Sequence, residues 1–214
     1  MGGEANMHNI KNTAWAGQPL AQAKRVLIMT HGRGASAQSI LSLAVELDVQ
    51  DFALAAPQAT GNTWYPYSFL APETQNEPGL SAGLQVLGEL VDEIKQQGFD
   101  SQQIYLLGFS QGACLTSEFV ARNAQPFGGV FILSGGVIGD SIKPERYSGD
   151  FEGTPIFLGC SDVDSHVPLY RVQDSTALFK NLGANVTEKI YPNAPHSIFQ
   201  DELNHINRIL NDTK

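Results

Sequence analysis

Gly108-Phe109-Ser110-Gln111-Gly112 fits the pattern G-x-S-x-G and falls between an apolar run and a stretch of helical period. In that setting the turn holds the serine in a strained backbone conformation. Glycines two residues to either side remove the side chains that so tight a bend would bring into collision. Ser110 Oγ is therefore expected to stand exposed at the carboxyl edge of a sheet. A serine hydroxyl is a weak nucleophile at neutral pH, so this chemistry needs a base within hydrogen-bond reach and an acid that orients the base. Downstream the chain offers both, in the order acid then histidine. Asp162-Val163-Asp164-Ser165-His166-Val167-Pro168 follows one apolar run, and Pro192-Asn193-Ala194-Pro195-His196-Ser197 follows another.

His196 lies among Pro and small residues just before the last helical segment and is the expected base. Of its rivals, His31 precedes the serine in a turn suited to another task, and His166 sits too close to the candidate acid. Asp162 and Asp164 compete for the acid role, and spacing does not separate them; the other is expected to order the loop. His31-Gly32-Arg33-Gly34 follows the first apolar run. Glycines there let backbone approach a substrate, so the N–H of Arg33 and the N–H of Gln111, at a helix N-terminus, are the expected oxyanion donors. A phosphate loop is a poor alternative, because neither G-x-x-x-x-G-K-[ST] nor G-x-G-x-x-G is present. His8 and His205 belong to no cluster, and His205 is expected at the surface.

These residues must be positioned by the elements around them. Short apolar runs alternate with segments of helical period, the pattern of an α/β protein with a mainly parallel sheet. Strands are expected at Arg25 to Thr30, Phe52 to Ala56, Gln103 to Leu107, Val130 to Leu133, Pro155 to Leu158 and Thr187 to Tyr191. Ser36 is placed to cap a helix running to about Val49, with Ile40, Leu43, Ala44 and Leu47 as its apolar stripe. Further helices are expected from Leu80 to Gln97, Gln111 to Arg122, Leu169 to Leu182, and from about Ser197 onward. Residues before about Lys24 are expected to add an edge hairpin. Residues 58–78 are rich in Pro, Gly, Asn and aromatics without periodicity, a lid or pocket loop. Within it Trp64, Tyr65 and Phe69 either line a pocket for an acyl or aromatic-alcohol group or pack the loop against the body.

Composition bounds the rest. At 214 residues with 42% hydrophobic and 16% charged, the chain can bury a sizeable core, and one domain over 1–214 is the expectation. A net charge of -9 disfavours nucleic acid and anionic membrane surfaces. Lys24-Arg25 and Lys143 to Arg146 are read as solvated surface. No apolar stretch approaches the roughly 20 residues of a membrane span. The first residues show neither a basic-then-apolar leader nor, with Asn6, a myristoylation signal, so a cytoplasmic protein is expected. Cys114 and Cys160 read as buried, inert thiols. A homodimer is a common state for soluble proteins, but no patch points to an interface.

Together, His31-Gly32-Arg33-Gly34, Ala56-Pro57, Gly108 to Gly112, Asp164-Ser165-His166-Val167-Pro168 and Pro195-His196 resemble the phospholipase/carboxylesterase family of α/β-hydrolases, over nearly the whole chain. The resemblance implies an α/β-hydrolase fold with helices on both faces of the sheet. It also implies a Ser-His-Asp mechanism on carboxylic esters or thioesters of small molecules, without metal or organic cofactor. Because the family's aspartate precedes a Val-Pro pair by three residues, it selects Asp164 over Asp162. Departures are Ala113 where many members have a second Gly, Pro195 where Gly often precedes the histidine, and Arg33 where the thioesterases have Leu. The last places a cation near the expected mouth. The Trp64 to Phe69 segment is also unlike the thioesterases' lipid-binding loops. The expected activity is a serine carboxylesterase, with lysophospholipase activity allowed. The alternatives are an acyl thioesterase, a dienelactone-hydrolase-like enzyme, disfavoured by Ser at the elbow, and a non-catalytic ligand-binding protein.

Overall fold

The computed structural model describes residues 7–212. The residues 1–6 read for a leader or lipidation signal lie outside the described residues. Seven strands form one sheet in the order β1-β3-β2-β4-β5-β6-β7. They are β1 (Thr13–Gly17), β2 (Arg25–Thr30), β3 (Phe52–Pro57), β4 (Ile104–Phe109), β5 (Gly129–Leu133), β6 (Pro155–Ser161) and β7 (Asn185–Tyr191). All neighbours pair in parallel except β1, which runs antiparallel to β3.

Strands β2 to β5 are buried almost throughout and mostly apolar because both of their faces are covered. Val26 and Ile28 of β2 point to one face and Leu27 and Met29 to the other, all fully buried. The first face carries α2 (Gly79–Gln96), α3 (Gln111–Arg122) and α4 (Leu169–Asn181), which bury Leu87, Leu115 and Phe179 against it. The second carries α1 (Ala37–Leu41) and α5 (Gln200–Asp212), which bury Ile40 and Ile206. The α/β fold with helices on both faces is as the sequence implies.

Several local expectations are corrected. The helix after Ser36 has its capping box with Ser39 but stays α-helical only to Leu41, then tightens into a 3-10 turn over Ser42–Glu46. The Ser42 hydroxyl donates to the Ser39 carbonyl at 2.6 Å, a local bond that competes with the helical ladder. The N-terminal segment adds one edge strand rather than a hairpin. Gly17, at φ +67, ends β1 against Phe52 O, and the chain then turns through Pro19 and crosses β3 to enter β2. The last helix starts at Gln200, later than Ser197, with Glu202 Oε2 accepting from Phe199 N–H at 2.9 Å.

Three side chains expected at the surface or outside any cluster are tied into the body. Arg25 is buried, forms a two-bond pair with Asp51 at 2.9 Å and lies over the Phe52 ring. His205 is half-buried, stacked on Phe157. His8 is buried, its Nε2–H donating to Trp64 O at 2.8 Å and its Nδ1 accepting from Thr60 N–H at 3.1 Å. Cys114 and Cys160 are buried and unpaired, and burial pushes both thiols up to about 12. Among the described residues no helix is long and apolar enough to cross a membrane.

Candidate active site

The turn from β4 into α3 sets the geometry. Ser110 sits at φ 56, ψ -120, a positive φ that L-residues seldom adopt. A Cβ at Gly108 would lie 2.4 Å from Gly112 O, and one at Gly112 would lie 2.1 Å from Thr30 O. Both glycines are therefore required by contact. Ala113, a departure from the second Gly of many family members, is fully buried, and its Cβ fills the space that a Cβ on Gly135 would need.

Ser110, His196 and Asp164 meet above the carboxyl ends of the strands. His196 Nε2 is 2.8 Å from Ser110 Oγ, and His196 Nδ1 is 2.5 Å from Asp164 Oδ2. A carboxylate on Nδ1 fixes the proton there and leaves Nε2 as the acceptor for the serine hydroxyl. The Asp164 side chain is fully buried. Burial works against its charge, but the bond to His196 and the N–H groups of His166 and Val167, at 2.7 and 2.9 Å, outweigh it and hold the carboxyl below its ordinary range. Asp162 accepts from Asn193 N–H at 2.7 Å, which ties the acid loop to the histidine loop. Of the two aspartates, then, Asp164 touches His196 and Asp162 orders the loop.

The other histidines stand outside the Ser110–His196–Asp164 chain of hydrogen bonds. His31 is buried, donates from Nδ1–H to Gly32 O and accepts Ala59 N–H at Nε2. Burial lowers its basicity, in keeping with a neutral ring that needs one donor and one acceptor nitrogen. His166 is exposed, with its ring 4.8 Å from that of His196. Phe109 also lies against His196, at 5.2 Å between centroids.

Arg33 and Gln111 flank the serine in a cavity of about 660 Å³. Gln111 is the first residue of α3, so its N–H has no acceptor within the helix. Their side chains do something the sequence reading missed. Arg33 donates to Tyr65 O, Pro66 O, Tyr67 O and Thr63 Oγ1 at 2.8–3.0 Å. Gln111 accepts Trp64 N–H and donates to Tyr65 O, each at 2.9 Å. The cation expected near the mouth lines the cavity, and it also clamps the long loop, since a planar guanidinium matches a fan of carbonyl groups that Lys could not. A polar side chain at both Arg33 and Gln111, beside a loop too irregular to pair its own carbonyls, was the available signal.

Tyr65 and Phe69 line the cavity, as does Cys114 one turn into α3. Trp64 does not, correcting its assignment to the pocket. It is fully buried behind the loop, packed between His8 and His31, and its Nε1–H donates to His31 O at 2.9 Å. The buried indole N–H needs a partner, and the backbone of the turn after β2 supplies it.

Comparison with known proteins follows the same lines. A probable carboxylesterase of Oryza sativa subsp. japonica is 29% identical over 129 residues, 60% of this chain and 48% of that protein. Acyl-protein thioesterase 1 of Aspergillus fumigatus is 32% identical over 142 residues, 64% of this chain and 58% of that one. The chain thus spans about half the length of the curated relatives it matches. A crystal structure of a phospholipase/carboxylesterase from Dyadobacter fermentans superposes with a TM-score of 0.93 at 45% identity, covering 95% of this chain and 98% of that one. The family model described as phospholipase/carboxylesterase matches residues 14–214, and the chain belongs to that family.

Proposed function

We propose that the protein is a serine hydrolase of carboxylic esters, with Ser110 as nucleophile, His196 as base, Asp164 as the orienting acid and the N–H groups of Arg33 and Gln111 as the oxyanion hole. The unbroken Ser110–His196–Asp164 hydrogen-bond chain carries this reading. Ser110 Oγ attacks the ester carbonyl as its proton passes to His196 Nε2, and the charge that grows on the carbonyl oxygen meets the two amides. Removing one such donor costs about 3 kcal/mol in enzymes where it has been tried. The C–O bond to the alcohol then breaks as Nε2 returns the proton to the departing oxygen. Water, deprotonated by His196, releases the acid in the same way.

The substrates are small-molecule esters, with the acyl group in the Tyr65–Phe69 cavity. Two unpaired cysteines fit a reducing, cytoplasmic setting. The test is hydrolysis of p-nitrophenyl esters from acetyl to palmitoyl, with an acyl thioester alongside, by the wild type and Ser110→Ala. Turnover that vanishes in the variant is expected. A folded wild type that turns over nothing and is not labelled at Ser110 by a fluorophosphonate would leave a ligand-binding protein. A thioester preferred over its oxygen ester would move the reading to a thioesterase.

A further inference from the structure

The cavity that holds Ser110 differs in charge from the chain around it. No Asp or Glu lines it, although the chain carries 22 of them against 13 Lys and Arg. Its fixed charge is the Arg33 guanidinium, with His166 and His196 as the other nitrogen bases on the wall. The Asp164 carboxylate does not line the cavity. It is fully buried and takes bonds from His196 and from the N–H groups of His166 and Val167.

The charge on Arg33 is unbalanced. Arg25, Arg122 and Arg146 each pair with a carboxylate, whereas Arg33 has none among the described residues. Its partners, Thr63 Oγ1 and the carbonyls of Tyr65, Pro66 and Tyr67, are all neutral. They occupy Nη1 and one N–H of Nη2, so Nε–H and the other Nη2–H have no acceptor among the described residues. The same bonds hold the group still, with its central carbon 5.8 Å from the centroid of the Tyr65 ring. A cation fixed in this way loses little further freedom on taking a ligand, and two N–H groups of one planar guanidinium match the two oxygens of a carboxylate. The net charge of -9 repels anions at long range, but salt screens that field beyond about 8 Å and leaves the nearest charge to decide. The N-terminus of α3, which begins at Gln111, adds to the positive side.

We propose that the ester cleaved here carries a carboxylate, and that the Arg33 side chain binds it through Nε–H and Nη2–H and so determines specificity. This rests on the serine-esterase reading. A primary amide of the same shape has one acceptor oxygen and no charge, and is the fitting comparison.

The experiment measures kcat/KM for monomethyl succinate, glutarate and adipate, each against the methyl ester in which the free carboxylate is a primary amide. Carboxymethyl butyrate against carbamoylmethyl butyrate makes the same comparison on the alcohol side. In at least one pair the wild type is expected to favour the anion by about tenfold or more, and to lose most of that ratio in 0.5 M NaCl. Arg33→Gln is expected to cut the ratio about fivefold or more. Because each ratio is taken within one protein, any loss of folded enzyme cancels. Arg33→Lys, which keeps the charge but loses the fan of loop bonds, is expected to retain at least about half of the ratio. Lys180→Gln, which removes an exposed cation from the last turn of α4, leaves it unchanged. A ratio at or below one in every pair, or one that Arg33→Gln does not alter, overturns the proposal. So does an Arg33→Lys enzyme as indifferent to charge as Arg33→Gln, which would trace the loss to the loop. Anionic esters left intact by an enzyme that cleaves p-nitrophenyl esters overturn the proposal alone. A wild type that hydrolyses no ester, charged or neutral, overturns the esterase reading itself.

Discussion

Gly112 and Thr30 are held so close that a single methyl group cannot be inserted between them, the position of a Cβ at Gly112 falling 2.1 Å from the Thr30 carbonyl oxygen. The contact presses the start of α3 onto the end of β2 and so sets the distance between the Ser110 turn and the turn that holds Arg33. Gly112→Ala is expected to destabilise by about 3 kcal/mol, the cost of overpacking a rigid core site. Ester turnover is expected to fall by more than the loss of folded protein explains. Urea unfolding and active-site titration on the same preparation measure the two effects; full activity in a stable variant contradicts the account.

Arg33 holds the loop through its side chain, and in the proposed mechanism its backbone N–H serves the substrate. Arg33→Ala and Arg33→Lys keep the N–H but lose the fan of bonds to residues 65–67. Each is expected to raise KM several-fold with a smaller change in kcat, and to speed proteolysis within residues 63–69. Limited proteolysis with mass readout tests the loop directly. An unchanged cleavage rate would show that the loop holds itself.

Trp64 and Phe69 are expected to part company. Trp64→Ala removes a fully buried indole and its bond to His31 O, costing about 3–5 kcal/mol of stability. The acyl-length optimum of the surviving enzyme is expected to stay where it was. Phe69→Ala, in the cavity wall, is expected to move that optimum toward longer chains at a smaller cost in stability. A chain-length series on both variants, normalised to titrated sites, separates them.

Glu202 gives the stability a pH dependence of unusual sign. Its side chain is fully buried beneath Gly159, Oε1 has no hydrogen-bond partner, and burial pushes its pKa from 4.5 up to about 7. Between these values the folded state keeps a proton that the unfolded chain has lost, so stability falls as pH rises from about 4.5 to 7 and levels off above. The difference amounts to about 3 kcal/mol. Glu202→Gln is expected to flatten that slope and to be more stable than the wild type at pH 8. Asp164 has the opposite sign: its lowered pKa contributes stability that is present above 3.8 and is lost as pH falls through the lower folded value. Denaturant midpoints from pH 4 to 8 resolve the first of these.

Asp164→Asn is expected to lower kcat by about 10⁴, because an amide in that place can donate to Nδ1 and push the proton onto Nε2. His196→Ala is expected to lose turnover at least as severely, measured on the same p-nitrophenyl esters; a folded variant that keeps the wild-type kcat contradicts His196 as the base.

Much of this was legible in the chain. The elbow glycines, the apolar strands and the order of Asp164 and His196 leave local marks, because tight turns and doubly covered strands restrict residue type. Between Asp162 and Asp164 only the resemblance chose, since two residues of loop can be re-aimed by a small rotation. Trp64 was ambiguous because an aromatic in a loop looks the same whether it faces a cavity or the body. His8 and the clamp by Arg33 were missed because their partners are distant in sequence, Thr60 and Trp64 for His8 and residues 63–67 for Arg33; His205 has Asp201 one helical turn away, but the stacking that buries it is on distant Phe157. The early end of α1 hung on a single serine back-bond, which no periodicity records.

The span of the triad along the chain also bears on when activity can begin. Ser110 and His196 are 86 residues apart and Asp164 and His196 are 32 apart. During synthesis Ser110 and its turn emerge long before His196, and the loop of Asp162 and Asp164 is fastened to Asn193 only once β7 has joined the sheet. Closing such distant contacts is slow compared with forming α3 alone. A nascent or C-terminally clipped chain therefore carries a serine with nothing to deprotonate it, and the onset of turnover in a coupled translation reaction would time the docking of the last strand.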